Sequence, residues 1–152
     1  MVLLLDTGIL LRLIDAADPL HEMVERAVGI LIGRQEDLLI ASQNIAELWN
    51  FATRPAANNG LGLSPSDVAA LYAETLAPIC ATVGETDSTP FELLGLLSQY
   101  NVVGKQVHDA RLVAVMLSWQ INAVLTLNER NFRRFEAEGI TIVTPSSVIS
   151  SP

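Results

Sequence analysis

The chain has 152 residues, half of them hydrophobic and only 17% charged, with a formal net charge of −8. This length suits one domain spanning 1–152, and the apolar half supplies a substantial core and excludes a disordered chain. The negative balance argues against a general basic footprint for nucleic acid, because phosphate contacts supply most non-specific affinity. No uninterrupted apolar stretch approaches the ~20 residues of a spanning helix, so no membrane association is expected. Asp6 interrupts the opening apolar run, and no basic segment precedes it, which speaks against a signal peptide. Cys80 is the single cysteine and allows no internal disulfide. The expectation is a soluble, cytoplasmic protein.

Five short, nearly all-apolar runs read as strands buried on both faces: 2–5, 38–41, 79–82, 123–126 and 141–143. The first ends at Asp6, and Thr7-Gly8 turns the chain into a helix. After the second run, Ile45, Leu48, Trp49 and Ala52 recur at helical spacing and predict one core-facing stripe. Glu47 falls nearly opposite that stripe with Gln43, Asn50 and Arg54, facing water or a polar cleft. Asn and Gly mark 57–62 as a loop, and Ser64-Pro65-Ser66-Asp67 then opens a helix with a serine cap and proline at its first position. Thr89-Pro90-Phe91-Glu92 predicts a Thr-x-x-Glu capping box for the next helix. The stretch 107–120 is apolar almost all round and reads as a well-buried helix. Strand runs alternating with helices predict an α/β protein, a three-layer α/β/α arrangement around about five parallel strands.

Three acids stand out. Asp6 lies at a strand end, where open parallel sheets bind ligands, although an N-cap role would also suit it. Asp109 is the only acid in the apolar stretch 107–120; it serves the helix N-terminus or, being costly to bury unpaired, a site. Glu47 is the third. Carboxylates brought together repel unless a cation lies among them, and Mg²⁺ or Mn²⁺ suits an all-oxygen donor set. No CxxC pair, glycine-rich phosphate loop or Gly-x-Ser-x-Gly elbow competes, and His21 and His108 do not make a zinc site. His108 reads as structural or as a substrate contact. Basic residues gather at Arg130, Arg133 and Arg134, and Arg54, Lys105 and Arg111 flank the acids, as solvated surface or as phosphate contacts.

These segments, in this order, resemble the PIN-domain family, and within it the VapC-like toxin ribonucleases of type II toxin–antitoxin systems. VLLLDTGILLRLI resembles the family's first strand with its Asp followed by Thr or Ser. IASQNIAELWNFATRP resembles the second strand and the helix bearing the Glu. VVGKQVHDARLVAVML resembles the helix bearing the third acid, and AVLTLNERNF with ITIVTP resembles the closing turn and last strand. The resemblance implies that Asp6, Glu47 and Asp109 bind metal and that Thr7 and Thr126 line the site. It departs at the fourth position, where many relatives carry Asp and this chain has Asn128 and Asn131, which coordinate only through neutral oxygens or through water. One firmly bound ion, Mg²⁺ or Mn²⁺, is therefore expected, and a second only weakly. The implied activity is metal-dependent hydrolysis of RNA, with Asn128 or Asn131 orienting water and Arg54, Lys105, Arg111 and Arg130 contacting phosphates. The resemblance also implies a homodimer and an antitoxin partner that blocks the cleft. The alternative is a catalytically silent PIN-fold module that binds RNA or protein. A phosphatase-like enzyme using Asp6 as nucleophile generally has a second acid two residues on, and Gly8 occupies that place.

Overall fold

The computed structural model describes residues 1–151. Strand β1 (Val2–Leu5) leads into helices α1 (Thr7–Ile14) and α2 (His21–Gly33), and β2 (Asp37–Ala41) runs directly into α3 (Ser42–Thr53). A 3₁₀ turn at Ala56–Asn58 precedes α4 (Pro65–Leu71), which continues as a π-helical turn at Tyr72–Leu76 and then reaches β3 (Ala81–Val83). There follow α5 (Thr89–Gln99), α6 (Gln106–Ser118), β4 (Ala123–Leu125), α7 (Glu129–Phe132), a 3₁₀ turn at Arg133–Glu138, β5 (Thr141–Val143) and α8 (Pro145–Ser150). The strands form one sheet in the order β3-β2-β1-β4-β5, and every pairing is parallel. This is the three-layer α/β architecture with five parallel strands that the sequence predicts.

Period-two alternation along the strands divides the core between two layers. Leu3, Leu5, Ile40, Ala123 and Leu125 pack on one face with Ile9 and Leu10 of α1, Val24 and Val28 of α2, Leu48 of α3 and Val148 of α8. Leu4, Ala41 and Val124 pack on the other with Leu96 of α5, Val113 and Met116 of α6, Phe132 and Phe135. Both faces of β1 are therefore sealed, as its all-leucine run requires. Each fully buried leucine contributes roughly 1.5–3 kcal/mol. Helix α6 is buried along Leu112 to Met116, in line with its apolar sequence. Among the described residues, no helix is long and apolar enough to cross a membrane.

Several local expectations need correction. The third strand starts at Ala81 rather than 79, because the N–H groups of Ile79 and Cys80 donate to the Leu76 carbonyl (3.1 and 3.0 Å) and finish the preceding helical turn. The Ser64 cap forms as predicted, its hydroxyl accepting from the Asp67 N–H at 3.1 Å. The Thr89 capping box does not form. Ser88 holds the cap position, and Thr89 lies one residue inside α5, its Oγ1 accepting from the Thr86 N–H and lying 2.9 Å from Ser118 Oγ on α6. On α3, Trp49 is not in the core; it is 38% exposed. The inner line of that helix runs through Asn44, Leu48 and Ala52, spaced i, i+4, i+8, and Gln43 is buried beside it. Glu47 consequently flanks the buried line instead of opposing it.

Candidate active site

The chain order reverses between β1 and β4. The first three strands build the sheet outward from β1 on one side, and the segment from β3 to β4 crosses back to the other. Parallel sheets open a crevice at the carboxyl ends of the strands flanking such a reversal. Asp6 follows β1 there and Thr126 follows β4. The buried Thr126 hydroxyl donates to Asp6 Oδ2 at 2.8 Å, and its oxygen accepts from the Asn128 N–H at 3.0 Å. Although Asp6 occupies the N-cap position of α1, its side chain makes no capping bond to that helix. The Asp6 carboxylate is instead tied to the end of β4 through Thr126.

Burial raises the pKa of Asp6, and Glu47 repels it further. The Thr126 hydroxyl, the Thr7 N–H and Arg12 act in the opposite sense. Arg12, one helical face along α1, is the cation that the sequence reading missed. Its Nη1 donates to the Gly8 carbonyl at 3.3 Å, and its Nε lies 3.4 Å from Asp18. A basic residue six positions beyond Asp6 was the available signal.

Glu47 is fixed by two donors, Thr7 Oγ1 to its Oε2 at 2.6 Å and Gln43 Nε2 to its Oε1 at 2.7 Å. Thr7 in turn accepts from Asn44 Nδ2 at 3.0 Å, and Asn44 Oδ1 accepts from the Ala41 N–H at 2.8 Å. Asn44 is fully buried, so this chain of bonds locks the start of α3 to the start of α1. Gln43 Nε2 also donates to the His108 carbonyl at 2.8 Å, tying α3 to the first turn of α6 next to Asp109. Periodicity gave no sign of Asn44, since a buried amide in a helix looks like surface in a one-dimensional pattern.

Asp109, in the first turn of α6, has its pKa pushed up to about 6 by burial and by repulsion from Asp6 and then Glu47, with His108 and the Asn131 bond opposing. The three acids that lie far apart in sequence thus sense one another. Asn131 Nδ2 donates to Asp109 Oδ2 at 3.1 Å. Asn128 contributes its backbone N–H to Thr126, while its exposed side chain stands at the start of α7. Of the two asparagines, Asn131 is the one whose amide meets an acid. Among the described residues, no three of His, Cys, Asp or Glu converge tightly enough to grip a metal ion by themselves.

The cationic candidates separate. Arg111 is paired with Glu85, both Nε and Nη2 lying 2.6 Å from Oε1. Arg54 lies over the Phe51 ring at 5.2 Å, at the far end of α3. The loop behind it closes so tightly that a Cβ on Gly60 would come within 1.9 Å of the Arg54 carbonyl oxygen, which only glycine permits. Lys105 and Arg130 are exposed at the starts of α6 and α7. Arg133 pairs with Glu129, and Arg134 donates to Gln106.

A family model described as the PIN domain matches residues 3–138. Solved structures share the fold. VapBC2 from Rickettsia felis, bound to a promoter DNA fragment, aligns with a TM-score of 0.66 at 15% identity, over 95% of this chain and 98% of that one. VapC20 from Mycobacterium tuberculosis, a toxin that cleaves the sarcin–ricin loop, aligns at 0.62 and 16% identity, over 93% and 97%. FitAcB from Neisseria gonorrhoeae aligns at 0.65 and 16% identity, over 96% and 99%. At such identities the likeness is one of fold. No curated protein matches the sequence significantly.

Proposed function

This chain belongs to the PIN-domain family, and from that premise we propose that it is a divalent-metal-dependent endoribonuclease, the toxin of a toxin–antitoxin pair. What supports the proposal is the run of hydrogen bonds at the reversal of the sheet, Thr126 to Asp6 just beyond β1, Thr7 and Gln43 to Glu47 on α3, and Gln43 to the His108 carbonyl beside Asp109 on α6. A protein without use for a cation gains nothing from linking acids in this way, because their repulsion opposes folding. The likeness in fold to a sarcin–ricin-loop-cleaving toxin supports an RNA substrate.

The donor set fits a hard divalent ion. All three acids offer carboxylate oxygens, Asn131 and Asn128 add neutral amide oxygens, and Mg²⁺ commonly retains several waters and uses only one or two carboxylates. Asp6, Glu47 and Asp109 would hold the ion, partly through water. When bound, Mg²⁺ or Mn²⁺ supplies positive charge to the phosphoryl oxygens and makes water a better nucleophile. The remaining work falls to the chain itself. The Thr126 and Thr7 hydroxyls and the Gln43 amide keep Asp6 and Glu47 in fixed orientations, and Asn131 does so for Asp109. Asn128 and Asn131 orient water at the rim. Lys105 and Arg130 are the better phosphate contacts, since Arg111 is already committed to Glu85. In the reaction a water oxygen bonds to phosphorus and one P–O bond to ribose breaks, the leaving oxygen taking up a proton. The protein would work in the cytoplasm as a homodimer, and an antitoxin presenting a basic side chain to the acids would complement the cleft.

The test is cleavage of a mixed RNA pool by the wild type and by Asp6→Asn, each with Mg²⁺, Mn²⁺ or EDTA. Metal-dependent cleavage that disappears in the variant supports the proposal. A folded wild type that cleaves nothing with either metal would favour the silent binding module, a reading that the Asn128 and Asn131 departure already recommends as second choice.

A further inference from the structure

Beside the acid cluster, α3 and α6 enclose a groove of about 320 Å³, lined by Gln43, Ala46, Glu47 and Asn50 on one wall and His108 and Arg111 on the other. We propose that this groove receives the base of a nucleotide flanking the cleaved phosphate, and that it sets the base preference of the enzyme; the proposal rests on the ribonuclease reading above. Glu47 belongs to both the groove and the acid cluster, so a strand whose phosphate lies at the acids has its next base within reach of this space. The volume is at the small end of ligand pockets, and suits one nucleotide better than a protein segment.

The lining chemistry favours a base over a phosphate. Its one permanent cation, Arg111, is held by Glu85 through two nitrogens at 2.6 Å, which offsets its charge and fixes the guanidinium plane. A fixed guanidinium plane and an imidazole are stacking surfaces for unpaired bases. Asn50 offers an amide that donates and accepts, as the edges of bases require. Gln43 commits its Nε2 to Glu47 and to the His108 carbonyl, and its Oε1 is buried with no hydrogen-bond partner. Turning the amide over would set its oxygen against two acceptors, so this amide is fixed in one orientation and holds the shape of the wall. Recognition of single-stranded RNA through splayed bases also explains how a chain of net charge −8 selects RNA without a broad basic surface.

The test measures binding of labelled A, C, G and U homopolymeric hexanucleotides to Asp6→Asn protein with Mg²⁺, which separates binding from cleavage. One homopolymer is expected to bind about tenfold more tightly than the others, the size of a single base contact. Asn50→Ala, which removes an amide, and Ala46→Met, which fills the groove from an exposed helix position, should each bring that homopolymer to the level of the rest. Arg130→Ala should weaken all four alike. Equal binding of the four, or a preference that survives both groove substitutions in folded protein, overturns the proposal. If the preference and its loss are seen but the wild type cleaves no RNA, the groove stands and the nuclease reading falls. If the wild type cleaves RNA with metal while the four bind equally, the groove proposal alone falls.

Discussion

Replacing Asp109 with Asn should stabilise the metal-free protein at neutral pH and, on the proposed function, abolish RNA cleavage. The carboxyl is pushed from 3.8 up to about 6 in the folded state, by burial first and then by Asp6 and Glu47. Its folded pKa therefore lies above its unfolded value, so between these two values the folded state binds more protons. Stability must then fall as pH rises through that window, with no penalty below it and the whole penalty above it. About two units correspond to roughly 3 kcal/mol, but the side chain is only half-buried, and solvent screening reduces this to about 1–2 kcal/mol. Asparagine keeps an oxygen for Asn131 Nδ2 to donate to, as Asp109 Oδ2 accepts at 3.1 Å, so the substitution removes charge with little loss of bonding. For a domain of this size, about 1–2 kcal/mol raises Tm by roughly 2–8 °C. The assay is thermal unfolding followed by circular dichroism in EDTA, for both proteins, at intervals from about pH 3.5 to pH 8. The gap should open as pH rises through the window, and excess Mg²⁺ should narrow it by stabilising the wild type more. A variant that is no more stable than the wild type at about pH 7.5 in EDTA, or a gap that does not change with pH, would refute the argument that these acids crowd one another.

Four other outcomes follow from particular contacts. Gln43→Met keeps the side-chain volume but frees Glu47 and the His108 carbonyl, and Mg²⁺ affinity measured by titration calorimetry should fall about 10–100-fold, as for other supports of metal-binding groups. Leu4→Ala empties a fully buried position on the central strand, and denaturant unfolding should show a loss of about 2–5 kcal/mol. Gln120 has φ +56° just beyond the end of α6, so Gln120→Gly should raise stability by roughly 0.5–1 kcal/mol in the same assay, glycine being free of the Cβ penalty there. Burial pushes the Cys80 thiol up to about 12; it should resist a thiol-reactive dye at pH 8 in the native protein and react promptly once denaturant is added.

Much of this protein is legible in one dimension because the governing forces are local. The all-apolar run before Asp6, the serine cap at Ser64 and the apolar stretch that became α6 each carry their own signal, since strand burial, capping and helix burial depend on neighbours in sequence. Asp6, Glu47 and Asp109 could be singled out as misfits, each a charge near a strand end or helix start. At the start of β3 a local helical turn took residues 79 and 80, whereas at α5 and α3 a more distant partner overrode a local preference. Thr89 gave up its cap for Ser118 on another helix, and Trp49 was displaced from the core line by Asn44, whose amide is needed by Thr7 and by the Ala41 N–H. The linkage of Gln43 to both Glu47 and the His108 carbonyl and the choice of Asn131 over Asn128 as the partner of Asp109 have no sequence signature at all. They exist because the chain crosses from β3 back over β1 to β4, setting Asp6 beside Thr126 and the start of α6 beside Gln43 of α3. Sequence determines which residues are charged and which segments are strands or helices; only the strand order, decided by packing two apolar layers against one sheet, determines which of those charges meet.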